Sequence, residues 1–360
     1  MKKDSIIDFT SDEIRSIFAG FGEGNYRAEQ VLREIFMQRR ENFSDMTTLP
    51  VNLRNELNVK YIIQSIENYQ VSKSKDGSQK YLFNLSDGAS IETVLMPWLD
   101  DDTGESIRNT LCVSSQAGCA VGCIFCATGS LGIKRNLKPS EIAGQVLFSE
   151  KLSGARITNI VLMGMGEPML NLENVLKAVD LMTDEKFSII SRNKIVLSTV
   201  GIISGINKLS EIDKPLKLAL SLHSTDDNIR QTLIPSAKAN PMKELLDSVE
   251  NYYKKTGFPV TYEYILFDGV NDGDSDAKRL VKFARRVPSK VNIIPFNDIS
   301  FVQNRQKEII LKPSPPERIE RFMEILKESG IIARKRKPFG RDIEAACGQL
   351  ALTRITGYQL

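Results

Sequence analysis

Beyond residue 108 the chain alternates β-prone and helical stretches, and this alternation constrains its fold more than any other feature. Runs rich in β-branched and aliphatic residues cover 110–115, 157–163, 194–198, 216–222, 260–267 and 291–295. Amphipathic stretches at 139–152, 171–183, 242–255 and 275–287 lie between them. Strands joined through helices return to the same end of a sheet and pair in parallel. The expected core is therefore α/β. Polar and unusual residues recur at the carboxyl end of strand after strand, where barrels build their sites, which favours a partial (β/α)6 TIM-like barrel over a doubly wound sheet.

The first 60 residues read as a small N-terminal helical domain. Thr10 and Glu13 have capping-box spacing, and within 26–39 the residues Ala28, Val31, Leu32, Ile35 and Phe36 share one helical face. The charges of this segment nearly cancel, so the residues alone leave a packed accessory bundle and an RNA-gripping module both open. Residues 61–104 are β-prone and broken by Asp76-Gly77 and Asp87-Gly88, strong hairpin signals, and read as a short β linker to a core spanning 105–350.

Four of the five cysteines, Cys112, Cys119, Cys123 and Cys126, fall within fifteen residues; Cys347 stands alone near the end. That is no disulfide framework for a chain of 360 residues. The C-x3-C-x2-C run Cys119-Ala-Val-Gly-Cys123-Ile-Phe-Cys126 supplies soft thiolate ligands of the kind iron–sulfur clusters use. A full set is four and the local set is three, which leaves one iron open for a ligand such as S-adenosylmethionine (SAM), able to chelate through its amino and carboxylate groups. A zinc knuckle with a distant fourth ligand and a group of buried structural cysteines are the alternatives, although zinc sites usually pair cysteines as C-x2-C.

Gly164-Met165-Gly166-Glu167-Pro168 follows the second expected strand, a glycine-rich turn carrying a carboxylate that can accept from an ammonium group. His223 is the one histidine of the chain, and a single histidine is more often a satisfied structural or binding residue than an acid–base catalyst. Cys347 by itself is either a small buried hydrophobe or a reactive thiol.

With 48 Lys and Arg against 45 Asp and Glu, the net charge of +3 neither announces nor excludes a nucleic-acid partner. Local basicity is another matter. Lys134, Arg135 and Lys138 follow the cysteine run, and Arg334, Lys335, Arg336, Lys337 and Arg341 precede Cys347, so both segments have cationic flanks suited to phosphate. No apolar run approaches the roughly 18 residues of a membrane span, and the start turns acidic before a signal-like stretch develops. A cytoplasmic location without a membrane partner is expected.

The segments SSQAGCAVGCIFCATG, KRNL, MGMGEPMLNLENVLKAV, LSTVGI, SLH and DIEAACGQLA, with RAEQVLREIF and DMTTLP near the start, narrow these choices. Over essentially its whole length the sequence resembles the RlmN/Cfr family of radical SAM RNA methyltransferases. The resemblance implies a barrel of the radical SAM type and a [4Fe–4S] cluster on Cys119, Cys123 and Cys126. It places SAM contacts at Gly166, Glu167, Ser198, Ser221, Leu222, His223 and Asn297, and makes Cys347 the methyl carrier, Cys112 the resolving cysteine and Glu92 the proton acceptor.

In such a reaction two SAM molecules serve each turnover. Adenine carbon 2 is electrophilic and a poor nucleophile toward a SAM methyl group, whereas a thiolate is a good one. Cys347 takes a methyl group from one SAM, and the 5′-deoxyadenosyl radical from a second removes hydrogen from it. The methylene radical adds to the base, and Cys112 then attacks the Cys347 sulfur to release the RNA and leave a disulfide.

The resemblance further implies 23S rRNA (adenosine 2503) and tRNA (adenosine 37) as substrates, flavodoxin or ferredoxin as electron donor, and a monomeric enzyme. The nearest alternative is a Cfr-type carbon-8 methyltransferase, but Pro168 stands where Cfr-like sequences tend to carry alanine. A non-catalytic RNA-binding protein with a structural metal would need neither Cys112 nor Cys347. A radical SAM enzyme acting on a small molecule or protein leaves the helical domain and basic flanks without a role. Two segments depart from the family's pattern: DISFVQNRQKEII after Asn297 lacks the expected proline- and glycine-containing loop, and Lys337-Pro338-Phe339 replaces a glycine-rich stretch.

Overall fold

The computed structural model describes residues 3–100, 103, 106–301 and 310–352. Among the described residues, ten strands form one sheet. Strands β1 (Ile66–Lys73), β2 (Gln79–Leu85), β3 (Ser90–Leu99) and β4 (Ser106–Cys112) run antiparallel, with turns at Asp76-Gly77 and Asp87-Gly88. From β4 the sheet continues in parallel through β5 (Asn159–Leu162), β6 (Ile195–Thr199), β7 (Lys217–Ser221), β8 (Val260–Leu266), β9 (Ser289–Pro295) and β10 (Ile332–Lys335). Spatial order follows chain order throughout.

The six strands expected from the sequence are the six from β4 to β9, each followed by helix. These are α4 (Pro139–Ser153), α5 (Leu172–Met182), α6 (Ile203–Glu211), the pair α7 (Asp227–Leu233) and α8 (Met242–Thr256), α9 (Asp274–Ala284) and α10 (Pro316–Glu328). This is the α/β partial barrel. The seventh parallel strand, β10, reads Ile-Ala-Arg-Lys and is too short and too charged to be legible beforehand. The β linker also differs from a free-standing sheet: β3 pairs with β4 from Val94↔Cys112 to Trp98↔Arg108, so the hairpins extend the barrel sheet directly. The expected junction at residues 104 and 105 lies outside the described residues.

Ahead of the sheet stand α1 (Ser11–Gly20), α2 (Asn25–Phe36) and α3 (Val51–Lys60). Thr10 Oγ1 accepts from Glu13 N–H at 3.2 Å and Glu13 returns the bond to Thr10 N–H at 2.7 Å, closing the capping box. Ala28, Val31, Leu32, Ile35 and Phe36 form the buried face of α2, and Phe36 stacks on Phe187 with ring centroids 5.6 Å apart. These helices share one continuous apolar core with the sheet.

A second, smaller apolar cluster of Val121, Cys123, Phe125, Leu233, Ile234, Phe267 and Phe296 lies beneath the cysteine loop. Burying each large side chain contributes roughly 1.5–3 kcal/mol, so the loop is held by packing as well as by hydrogen bonds. Among the described residues no helix is long and apolar enough to cross a membrane.

Candidate active site

After β4 the chain forms a short hairpin, Gln116–Gly118 with Ile133–Asn136, and the cysteine loop and a one-turn helix, Ala127–Ser130, fill its connection. Cys119, Cys123 and Cys126 line one wall of an open cleft of about 810 Å³, solvent-filled mouth included. Gly166, Glu167, Ser198, Ser221, His223 and Cys347 line the rest, together with Glu263 and Arg336. The first five of these lie at or just beyond the carboxyl ends of β5, β6 and β7, where a parallel barrel gathers its functional groups.

Local packing explains the glycine at 166. Its φ is +100°, and a Cβ there would stand 2.5 Å from Gln116 Cβ and 2.7 Å from Gln116 N. Gln116 Oε1 in turn accepts from the Glu167 amide at 2.9 Å. The turn after β5 is thus seated on the segment that leads into the cysteine loop.

Burial pushes the Cys119 thiol up to about 12 and raises Cys126; burial, then Cys126 and Cys119, raises Cys123 further. Three soft donors are thereby concentrated where negative charge is costly unless a cation compensates it. Among the described residues no three such side chains stand at spacing for a single metal ion. A cluster binds each thiolate at a different iron and needs its donors spread around a void. Three thiols with no fourth in the loop are a donor set that a [4Fe–4S] cluster with one open iron could use.

Glu167 is buried, and burial pushes its carboxyl up to about 7 despite bonds from Met169 N–H (3.0 Å) and Val200 N–H (2.9 Å). Ser198 and Ser221 hydroxyls stand 3.3 Å apart. His223 Nδ1 accepts from the Ile265 amide at 3.1 Å, and the Phe125 ring packs against the imidazole with centroids 4.7 Å apart. Burial, reinforced by Arg230, holds its pKa down to about 3. The ring is neutral with its proton on Nε2, a donor suited to binding rather than proton transfer. Leu222 is buried and lies off the cleft, its amide donating to the Glu263 carbonyl at 3.0 Å.

A second cavity of about 600 Å³ adjoins the first and is lined by Cys112, Met96, Asn297, Phe339 and Cys347, among others. Met163, Ile294, Arg336 and Cys347 border both. Cys347 therefore sits at the junction, exposed, with the three cysteines on one side and Cys112 on the other. Burial, and then Cys347, pushes the Cys112 thiol up to about 12. Asn297 faces this second cavity and donates through Nδ2 to the Cys347 carbonyl at 3.2 Å, while Arg341 Nε donates to Asn297 Oδ1 at 3.1 Å.

Glu92 lines neither cavity. Its Oε1 lies 3.2 Å from Lys80 Nζ, and its Oε2 accepts from the Leu352 amide at 3.1 Å. Burial raises its pKa against the opposing pull of Lys80.

Two site residues escaped the sequence reading. Glu263 Oε1 accepts from Asn292 Nδ2 at 2.8 Å, and Oε2 faces Arg336 Nη1 at 3.4 Å. A glutamate inside the apolar run 260–266 was its signal. Arg336, expected at an outer phosphate-binding flank, instead lines both cavities, and Cys347, Glu263 and Cys112 hold it charged against the cost of burial. Arg135 is engaged as well: it pairs with both Glu141 oxygens (2.7 and 2.8 Å) and with Asp87 (2.5 Å). Lys134, Lys138, Arg334, Lys335, Lys337 and Arg341 remain exposed. Of the atypical segment after Asn297, residues 302–309 lie outside the described residues.

A partial parallel barrel with three cysteines in the loop after its first strand, facing a glycine–glutamate turn after the second, defines a radical SAM protein. Residues 113–283 match the family model described as Radical SAM superfamily, and residues 5–63 match that of the ribosomal RNA large subunit methyltransferase N-terminal domain. The chain belongs to the RlmN family. It is 40% identical over 359 residues to a probable dual-specificity RNA methyltransferase RlmN from Cytophaga hutchinsonii, covering 99% of this chain and 94% of the relative. It is 42% identical over 334 residues to another of that description from Thermus thermophilus, covering 92% and 90%. The crystal structure of a radical SAM methyltransferase from Sphaerobacter thermophilus superposes with a TM-score of 0.87 at 37% identity, covering 96% of this chain and 99% of that one.

Proposed function

We propose that this protein methylates carbon 2 of an adenine in RNA, with adenosine 2503 of 23S rRNA and adenosine 37 of tRNA as substrates, and that Cys347 carries the methyl group. The observation that carries the reading is the position of Cys347 at the junction of two cavities, one holding the three-cysteine set and Glu167, the other holding Cys112.

Cys119, Cys123 and Cys126 would hold a [4Fe–4S] cluster. Bound there, the cluster and SAM supply a one-electron cleavage that yields a hydrogen-abstracting radical. Gly166 and Glu167 receive the SAM amino group, with Ser198, Ser221 and the Nε2 proton of His223 as further polar contacts; Leu222, off the cleft and bonded through its backbone to Glu263 and Ser224, only seats its neighbours Ser221 and His223. Asn297 acts through Cys347, whose carbonyl it holds.

Cys347 attacks the methyl group of one SAM, forming an S–CH3 bond as the sulfonium C–S bond breaks. After hydrogen is removed from that methyl group, its carbon joins adenine carbon 2 and tethers RNA to protein. Cys112 then attacks the Cys347 sulfur as the sulfur–methylene bond breaks, and the methylene carbon takes a proton to become the methyl group. The adduct's one surplus electron would pass to the group held by Cys119, Cys123 and Cys126, and the Cys112–Cys347 disulfide left behind must be reduced by an external thiol. Arg336, bordering both cavities, favours the thiolate of Cys112. Glu92 takes the proton lost from carbon 2, a role that requires its contacts to Lys80 and Leu352 to open.

Flavodoxin or ferredoxin is the proposed electron donor, the cytoplasm the proposed location, and a monomer the proposed state. The helices of residues 1–60 and the exposed lysines and arginines beside the two reactive loops would grip RNA phosphate. The substrate nucleotide must be unstacked to reach Cys347.

The test is anaerobic reconstitution with SAM, reductant and a 23S rRNA fragment, then digestion and mass spectrometry of the methyladenosine against standards, with Cys347→Ala in parallel. Carbon-2 product absent from the variant supports the reading. Carbon-8 product would reassign the chemistry to the Cfr type, and an intact, SAM-cleaving cluster that methylates neither rRNA nor tRNA would refute RNA methylation.

A further inference from the structure

Arg230, on α7, is the largest fully buried side chain among the described residues, and it has no role in the reaction outlined above. A guanidinium carries a permanent charge and five N–H donors. Here Nη2 donates to the Val200 carbonyl, while Nε and Nη1 have no hydrogen-bond partner among the described residues. Asp227, one turn earlier, is exposed and uses its Oδ1 to accept from the Met242 amide at 3.0 Å. An uncompensated buried charge costs several kcal/mol. Among the described residues no carboxylate forms a salt bridge with it, and Asp227 acts on it only through its field.

The surroundings indicate what balances its charge. The end of α7 is bonded to the cysteine loop, Ile124 N–H donating to the Leu233 carbonyl at 3.1 Å, and Leu233 and Ile234 pack in one apolar cluster with Cys123. Val200, which Arg230 holds from behind, lines the cleft beside Cys123. Arg230 thus stands behind the cleft lining at Val200, on a helix whose end packs against Cys123, and the groups whose negative charge would act on it are the Cys123 thiolate first and Asp227 second.

We propose that Arg230 is the buried counter-charge of the iron–sulfur cluster held by Cys119, Cys123 and Cys126, and that it sets how readily the cluster accepts an electron. The inference rests on the reading of those cysteines as cluster ligands. Reduction by one electron from an external donor makes the cluster more negative, and a fixed cation in a low-dielectric wall favours that state. The same guanidinium braces the SAM wall, because the Val200 carbonyl accepts from Arg230 while its amide donates to Glu167. Arg230 is therefore a positioning residue, and a potential distinguishes its charge from its bracing.

The experiment uses anaerobically reconstituted full-length wild type, Arg230→Met and Arg230→Lys, reading iron and sulfide content, the cluster midpoint by EPR-monitored redox titration without SAM, and thermal unfolding of each apo-protein. In Arg230→Met the reduced-to-oxidised ratio at the wild-type midpoint should fall about tenfold, a negative shift of about 59 mV for a one-electron couple. Arg230→Lys should stay near wild type. Apo Arg230→Met should unfold no earlier than apo wild type, because an apolar side chain replaces an unpaired charge. A folded Met variant that loses its cluster while the Lys variant keeps it also supports the inference.

An unchanged midpoint in Arg230→Met, equal shifts in Met and Lys, or an apo Met variant that does not fold would each overturn it. Wild type that assembles no cluster would instead remove the ligand reading on which it rests.

Discussion

The Gly348 carbonyl accepts a hydrogen bond from the Ala127 amide at 2.7 Å, joining the turn that carries Cys347 to the residue after Cys126. A second bond, Thr128 Oγ1 to the Leu350 carbonyl at 2.6 Å, reinforces the splice. Two segments separated by more than two hundred residues are thereby fixed as one surface, and Cys347, the proposed methyl carrier, is held by the same loop that displays Cys119, Cys123 and Cys126. Gly348 has φ +85°, and a Cβ there would stand 3.1 Å from the Phe125 carbonyl oxygen. Gly348→Ala introduces about 1–2 kcal/mol of backbone strain that the turn relieves by moving. Iron content should stay within about twofold of wild type while RNA methylation falls tenfold or more, read by metal analysis and nucleoside mass spectrometry on the same preparations.

Gly166→Ala tests the other wall. The new methyl group would collide with Gln116 in a backbone conformation that L residues rarely adopt. The turn must lift, taking Glu167 with it. SAM affinity, measured by equilibrium dialysis of cluster-loaded protein, should fall at least tenfold, with the far-UV circular dichroism of wild type retained. Unchanged affinity would remove Gly166 and Glu167 from the SAM site.

Much of this was legible from residues 110 to 295, because β-branched runs punctuated by amphipathic helices carry their own period. β10 was not: Ile332–Lys335 has four residues and gains its strand state from pairing with β9, a tertiary effect that no local pattern encodes. Candidate site residues stand out in the sequence where their chemistry is rare, as with the cysteines, and are hidden where a common residue is redeployed. Arg336 reads as one more cation in a basic run, yet its pairing with Glu263 turns it inward. Glu92 carries the opposite lesson. The resemblance marks it as a base, and the fold binds it to Lys80 and Leu352 on neither cavity wall.

Cys112→Ala separates attachment from release. The thiol lies at the end of β4, across the second cavity from Cys347, and serves only the last step of the proposed sequence. The variant should load its cluster, methylate Cys347 and couple to RNA, then stall. A covalent protein–RNA species should accumulate toward one equivalent on denaturing gels, sensitive to both nuclease and protease, while wild type shows little and Cys347→Ala none. If Cys112→Ala turns over at the wild-type rate, resolution belongs to another group.

Glu167 makes a prediction about pH in the cluster-free protein. Burial raises its carboxyl from the ordinary 4.5 to about 7, so the sign is that of a group that resists ionising when folded. Below about pH 4.5 both folded and unfolded forms are protonated and Glu167 contributes no pH dependence. Between about 4.5 and 7 the unfolded chain ionises first, and stability falls as pH rises. Above about 7 the folded form ionises too and the loss levels off, at about 3 kcal/mol by the conversion of 1.36 kcal/mol per pKa unit. Glu167→Gln removes this titration, and any change in its bonds to Met169 and Val200 adds a constant offset. The stability of the glutamine variant relative to wild type, from chemical denaturation of apo-protein under reducing conditions, should therefore climb from pH 4.5 to 7 and stay flat beyond. A difference independent of pH would show that Glu167 ionises normally, and its carboxylate would then need no ammonium partner to be charged in the cleft.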